Sequence, residues 1–242
     1  MSGVDSLDPE DVSAADILGS AIERREDPAL ITGTAEYTDD IQFENTAHLA
    51  VHRSRFGNAV VEDVDTSAAE EMPGVIGVYT HDDLWREDTP GGGSFELPVG
   101  WLLPSLNNVS HPLLVDDHAR YQGDGIAVVV AENRYQAHDA VGEIDVSYDR
   151  LDAVTSPGEA LADDALQLHD DAEGNVAFDW EIGDEAKTEA AFESAAHTAS
   201  VELENQLLIP NAMEPRAAVA RYNAGTEELD VFMTTQNPHL HR

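Results

Sequence analysis

The sequence predicts an α+β chain, and three observations carry that expectation. Runs at residues 47–53, 75–80 and 126–131 are alternating or continuously apolar over strand lengths. Between residues 126 and 148 an Asn133 N-cap and a helical stretch separate two extended runs, giving a strand–helix–strand unit. Near the carboxyl end, residues 217–222 and 229–235 flank Asn223-Ala-Gly225, which reads as a hairpin whose turn takes its positive φ from that tripeptide.

Composition bounds what such a chain can be. Its 242 residues can bury a substantial core and fill two domains or parts of domains. Asp and Glu number 49 against 12 Lys and Arg, a formal charge of −37, and Lys187 is the single lysine. Self-repulsion of that size opposes folding at low salt, but at about 1 M salt the screening length falls to about 3 Å. A halophilic cytoplasm is the economical reading. An acidic nucleic-acid mimic or a disordered acidic chain would concentrate its charge in blocks and be poor in apolar residues. Here 42% of residues are hydrophobic and the acids are interspersed, so no nucleic-acid partner is expected. The absence of cysteine excludes disulfides, thiolate zinc sites and any iron–sulfur cluster ligated by this chain. No basic segment precedes an apolar run at the amino end, and no run reaches membrane-spanning length, so a soluble, cytoplasmic protein is expected.

Taken in order, residues 1–18 read as a solvated acidic tail. Asp39-Asp40 reads as a turn, since two carboxylates without a third partner make a poor metal site. His48 and His52 have helical ligand spacing, but on a strand they stand about 13 Å apart at about 3.3 Å per residue and cannot share an ion. Asp65-Thr-Ser67 offers a helix N-cap for a turn or two ending at Pro73-Gly74, a strand covers residues 75–80, and Thr80 caps a short helix through Asp83-Leu84. Residues 85–111, broken by Pro90-Gly-Gly-Gly93, Pro98 and Pro104, read as a long loop. Neither Gly91-Gly-Gly93 nor Gly123-Asp-Gly125 completes a phosphate-binding fingerprint.

The strand at residues 126–131 leads to a helix from Arg134 to about Glu143, in which His138 lacks a partner at ligand spacing, and then to a strand at 144–148. Residues 156–174 are polar and read as a crossing between domains. A helix at 185–195 precedes a long extended run at 197–208 and the hairpin. Pro215 and Pro238 lack an N–H and stop the ladder, which places Glu214 and Gln236 at strand ends. His239 and His241, two apart, face different sides of a helical turn and form no metal pair.

Several of these stretches together resemble the large subunit of the xanthine dehydrogenase and aerobic carbon monoxide dehydrogenase family, the molybdenum hydroxylases. Met213-Glu-Pro-Arg216, followed by Ala-Val-Ala, and Thr235-Gln-Asn-Pro-His239 resemble stretches of that subunit. Arg24 to Gly33 with Tyr37-Thr-Asp-Asp-Ile41 resembles its opening signature. Asp65 to Ala69, Met72-Pro-Gly-Val75, Arg120-Tyr-Gln-Gly123 and Leu151-Asp-Ala-Val154 resemble its a/b hammerhead domain. Two positions depart from the pattern: Arg53 to Asn58 lacks the family's Pro and His, and Gly125 replaces a Pro.

The resemblance implies four segments: an acidic tail at 1–18, a hammerhead domain at 19–155, a linker at 156–174 and the start of a molybdopterin-binding domain at 175–242. It implies that Gln236 sits beside the molybdenum centre and hydrogen-bonds an oxo ligand. It also implies oxidation of a small substrate with water-derived oxygen, FAD and [2Fe-2S] on medium and small partner subunits, and an oligomer. The family's catalytic Glu and Gly-rich pterin loops lie downstream of the Gln-x-Pro-His segment. No catalytic residue is therefore expected within these 242 residues, and the polypeptide alone is expected to be inactive. The alternative expectation is a non-catalytic hammerhead scaffold that docks onto partner subunits.

Overall fold

Strand β5, Gly125–Ala131, is the organising element, and its sequence Gly-Ile-Ala-Val-Val-Val-Ala is apolar on both faces because both faces are covered. The computed structural model describes residues 23–84, 105–107, 109, 111–206 and 208–239. The expected acidic tail, nearly all of the loop at 85–111 and the histidine at 241 lie outside those residues. The chain divides into two units, residues 44–203 and a unit of residues 1–43 with 204–242.

Within residues 44–203, β5 is the centre of an antiparallel sheet flanked by β1, His48–Arg53, and β3, Val75–Tyr79. A second antiparallel sheet has β2, Ala59–Asp65, between the two-residue β4, His118–Ala119, and β6, Asp145–Arg150. The helix Arg134–Val141 lies against β1 and β5. It starts at Asn133, whose side chain accepts from the Gln136 N–H, as the N-cap reading requires. Helix, strand and second sheet close on one cluster that includes the fully buried Ile126, Val129 and Ala140 with Val146. Burial of this kind contributes about 25 cal/mol per Å² of apolar surface and supplies the unit with its own core.

Two features differ from the sequence reading. The strand–helix–strand segment is present, yet β5 and β6 belong to different sheets. Strand β2 carries no clean alternation because Val61 pairs with Tyr148 and Asp63 with Ser147, which leaves Glu62 bulged and breaks the period.

The helix Ser67–Glu70 follows the expected Asp65 signal, with the Asp65 carboxylate accepting from the Ser67 N–H at 3.0 Å. Segment 156–174 is tied into this unit by Asn175, whose amide donates to the carbonyls of Ala160 and Leu166 and accepts from the Leu168 N–H. The helix Glu185–Ser194 is capped by Asp184 and has no buried residue. The run at 197–208 joins no sheet among the described residues.

The other unit has a helix, Asp27–Thr32, a 3₁₀ turn at Thr38–Asp40, and the hairpin β7, Ala218–Asn223, with β8, Glu228–Met233. The Asp39-Asp40 turn reading holds: the Asp40 carboxylate accepts from the Tyr37 N–H at 2.9 Å. The hairpin forms, but its turn differs in detail. Glu227, not Gly225, takes the positive φ, 58°, while the Asn223 carboxamide accepts from the Gly225 N–H. Among the described residues of this unit none is buried.

Candidate cofactor-contacting site

The loop carrying Gln236 is shaped by its neighbours. Beyond Met233 the ladder runs on for one bond, Thr234 N–H to Ala217 carbonyl, 3.1 Å. The Asn237 N–H then donates to the Thr235 hydroxyl at 3.0 Å, turning the chain before Pro238. Gln236 is exposed on this turn and its carboxamide joins no hydrogen bond among the described residues. It therefore lies three residues past β8, not at its end.

Glu214 lies four residues before β7 and is occupied. Its Oε1 accepts from the backbone N–H and the hydroxyl of Thr38 at 3.4 and 3.3 Å. The two side chains thus differ: Glu214 braces the opening segment, and Gln236 is free to meet a ligand. Around them, Phe43 packs on Phe232 with ring centroids 5.8 Å apart, and the Arg221 guanidinium lies 4.9 Å from the Phe43 ring.

His52 Nδ1 meets the Val141 carbonyl at 3.1 Å, and His48 on β1 pairs with Ala131 on β5. No group of three potential ligands gathers among the described residues. Against a molybdenum–pterin group the fit is partial. A carboxamide N–H₂ suits an oxo acceptor, but among the described residues neither cavity includes Gln236. Among the described residues Gln236 is one donor without an enclosing site.

A polar cluster in the larger unit was invisible to sequence reasoning. Buried Asn58 accepts through Oδ1 from the His118 Nε2–H at 2.5 Å and donates from Nδ2 to the Asp152 carbonyl at 2.7 Å. Arg120 Nε donates to the Leu168 carbonyl at 3.0 Å. Burial, followed by the Arg120 charge, lowers the pKa of both His118 and His169. The one local hint was the His118-Ala-Arg120 sequence. The rest depends on segments that only folding brings together.

Comparison with known proteins gives the class to which this arrangement of two sheets, a crossing helix and a following hairpin belongs. Residues 32–152 match the aldehyde oxidase and xanthine dehydrogenase a/b hammerhead domain, and residues 168–242 match the molybdopterin cofactor-binding domain. The chain belongs to the aldehyde oxidase and xanthine dehydrogenase family. It is 31% identical to the carbon monoxide dehydrogenase large chain of Hydrogenophaga pseudoflava, over 90% of this chain and 27% of that protein. It is 30% identical to the nicotine 6-hydroxylase large subunit of Paenarthrobacter nicotinovorans, over 92% and 26% respectively.

Among solved structures, a Cu,Mo-CO dehydrogenase in its carbon monoxide reduced state superposes with a TM-score of 0.76 at 29% identity, covering 92% of this chain and 28% of that one. Quinoline 2-oxidoreductase from Pseudomonas putida 86 gives 0.72 at 29% identity, covering 90% and 27%. The chain thus spans about a quarter of the length of the relatives it matches.

Proposed function

We propose that these residues are the amino-terminal part of the molybdopterin-carrying large subunit of a molybdenum hydroxylase, an enzyme that oxidises a small substrate with water-derived oxygen. The observation that carries this reading is the order of the two matched domains together with the exposed, unpaired Gln236 on the Thr-Gln-Asn-Pro-His turn. When bound, the molybdenum–pterin group supplies the redox chemistry. Gln236 would hold it by donating a carboxamide N–H, while Glu214 and Thr38 hold the opening segment against the hairpin. Electrons would leave through [2Fe-2S] and FAD carried by small and medium subunits, within an oligomer. A salt-rich cytoplasm is the compartment that the −37 charge suits. No helix among the described residues is long and apolar enough to cross a membrane.

The residues present offer one donor, so the 242-residue polypeptide alone is proposed to hold no cofactor and to turn over no substrate. Metal analysis of the purified polypeptide tests this directly: less than about one-tenth of an equivalent of molybdenum is expected, given a single exposed contact, and a stoichiometric content would refute it. Reading the source DNA past the codon for Arg242 tests the wider proposal. A frame that continues into Gly-rich loops and a late Glu supports it. In that complete enzyme, Gln236→Ala should lower molybdenum retention or turnover about 10- to 100-fold, the scale of a lost supporting contact at a metal site.

A further inference from the structure

The larger unit contains a cavity of about 400 Å³ where the 53–58 loop, the 118–122 segment and the residues after β6 meet. Its chemistry is opposite to that of the rest of the chain. Arg55, Arg120 and Arg150 line it, three of only twelve basic residues in the whole sequence, and none of its lining residues is an Asp or Glu. In a chain with 49 acids, a wall with three guanidiniums and no carboxylate is not what random placement produces.

The guanidiniums are also held in place. Arg55 lies 5.0 Å from the Phe56 ring centroid and 5.7 Å from that of Tyr148, and Arg150 lies 5.7 Å from the Phe56 ring. Phe56 itself is fixed edge-on against Tyr148, with centroids 5.1 Å apart at 81°. Buried Asn58 anchors the floor through its bonds to His118 and the Asp152 carbonyl, and its own carbonyl accepts from the Leu151 N–H at 3.0 Å.

Cation–π contacts leave the N–H edges of a guanidinium available. Among the described residues the side chains of Arg55 and Arg150 have neither a carboxylate partner nor a hydrogen bond. Arg120 is partly engaged: Nε and one Nη donate to the Leu168 and His118 carbonyls, and Asp116 is 3.9 Å from that Nη. Its second Nη joins no hydrogen bond among the described residues.

From this cavity we infer an oxyanion-binding site, in which Arg55 and Arg150 grip a phosphoryl or carboxylate group and Arg120 supplies a third positive charge. Two like charges sharing one aromatic platform repel each other, and an anion between them removes that cost. The site is distinct from the Gln236 loop and does not depend on the function proposed above. A phosphorylated ligand and an aromatic carboxylate share the required chemistry, and the cavity has room beyond a single oxyanion for the group that carries it.

Calorimetric titration of the 242-residue protein with inorganic phosphate and, separately, with benzoate tests the inference. Ionic strength is held with KCl at about 1 M, where long-range repulsion is screened. Saturable binding of at least one probe is expected, weakened ten-fold or more in R55Q/R150Q. It should be partly recovered in R55K/R150K, which keeps the charge without the planar fork. The tighter probe identifies the phosphoryl or carboxylate source. Absence of saturable binding by both probes overturns the inference, and so does equal affinity in R55Q/R150Q. If that double variant fails to fold, R150Q alone gives the same two readings.

Discussion

The two units solve the burial problem in opposite ways. In residues 44–203, β5 is covered on both faces, and Ile126, Val129, Ala131, Ala137 and Ala140 are essentially inaccessible to water. In the hairpin unit the comparable apolar side chains stay open: Val231 is 48% exposed and Phe232 40%. A two-stranded hairpin is marginal without a further surface to pack on. The difference teaches that strand-forming sequence and strand-stabilising context are separate matters. The hairpin forms by local pairing and one cross-strand ion pair, Arg221 to Asp230 at 2.7 Å, whereas the hammerhead unit is held by a core.

The contrast is sharpest in the response to truncation. Ile126→Ala should cost about 3 kcal/mol and lower the cooperative unfolding midpoint of the larger unit, because a fully buried side chain leaves a cavity. Val231→Ala on the hairpin should cost under about 0.5 kcal/mol. Urea titrations followed by circular dichroism check the pair, and equal losses would erase the distinction.

Gly74→Ala comes next. Gly74 has φ +84°, and an added Cβ would run into the Gln136 carboxamide, so a loss of about 2 kcal/mol is expected in the same titration. Removing the N-cap of the exposed helix by Asp184→Ala should cost about 1 kcal/mol of local helix stability, read as lost helicity with little change in the core transition.

Acid should also act on the larger unit. His118 and His169 have lowered pKa values, first through burial and then through Arg120. The folded state therefore binds those protons less readily than the unfolded chain. The stability they allow is intact above the ordinary imidazole value of 6.5 and is lost as pH falls below it. A thermal midpoint that falls between about pH 7.5 and about pH 5.5, and falls less in His118→Gln, is expected. The smallest effect is at Asp230→Asn. Both partners of its ion pair are about half exposed, so under about 0.5 kcal/mol is at stake, and salt should screen even that.

What could be read from the sequence follows the same division between local and distant signals. The Asn133 cap, the Asp65 turn that precedes the helix Ser67–Glu70, the helix after Asp184, the apolar β5 run and the hairpin are each encoded within a few residues, and each was legible. Strand β2 was missed because the bulge at Glu62 interrupts its alternation, and β4 because a two-residue bridge has no pattern. The helix Asp27–Thr32 was passed over as part of a signature motif, although Pro28 at its first turn and left-handed Gly33 at its end are ordinary start and stop signals. The placement of β5 and β6 in separate sheets is a long-range outcome that no local pattern contains.

At the candidate site, Gln236 was legible through its Pro-flanked motif, and the structure adds that it is exposed and unpaired. The arginine-lined cavity was not legible, since Arg55, Arg120 and Arg150 come from three separate stretches and only the pairing of Ala59 with both Ala119 and Arg150 draws two of them together.

Native-state hydrogen exchange on the 242-residue protein tests the central contrast most directly. The account predicts that amides of β5 and β6 exchange only through global opening of the larger unit, while those of β7 and β8 exchange faster by about a hundred-fold or more through local opening. Equal protection in β5 and β7 would contradict it, showing that the hairpin needs no further surface to be stable.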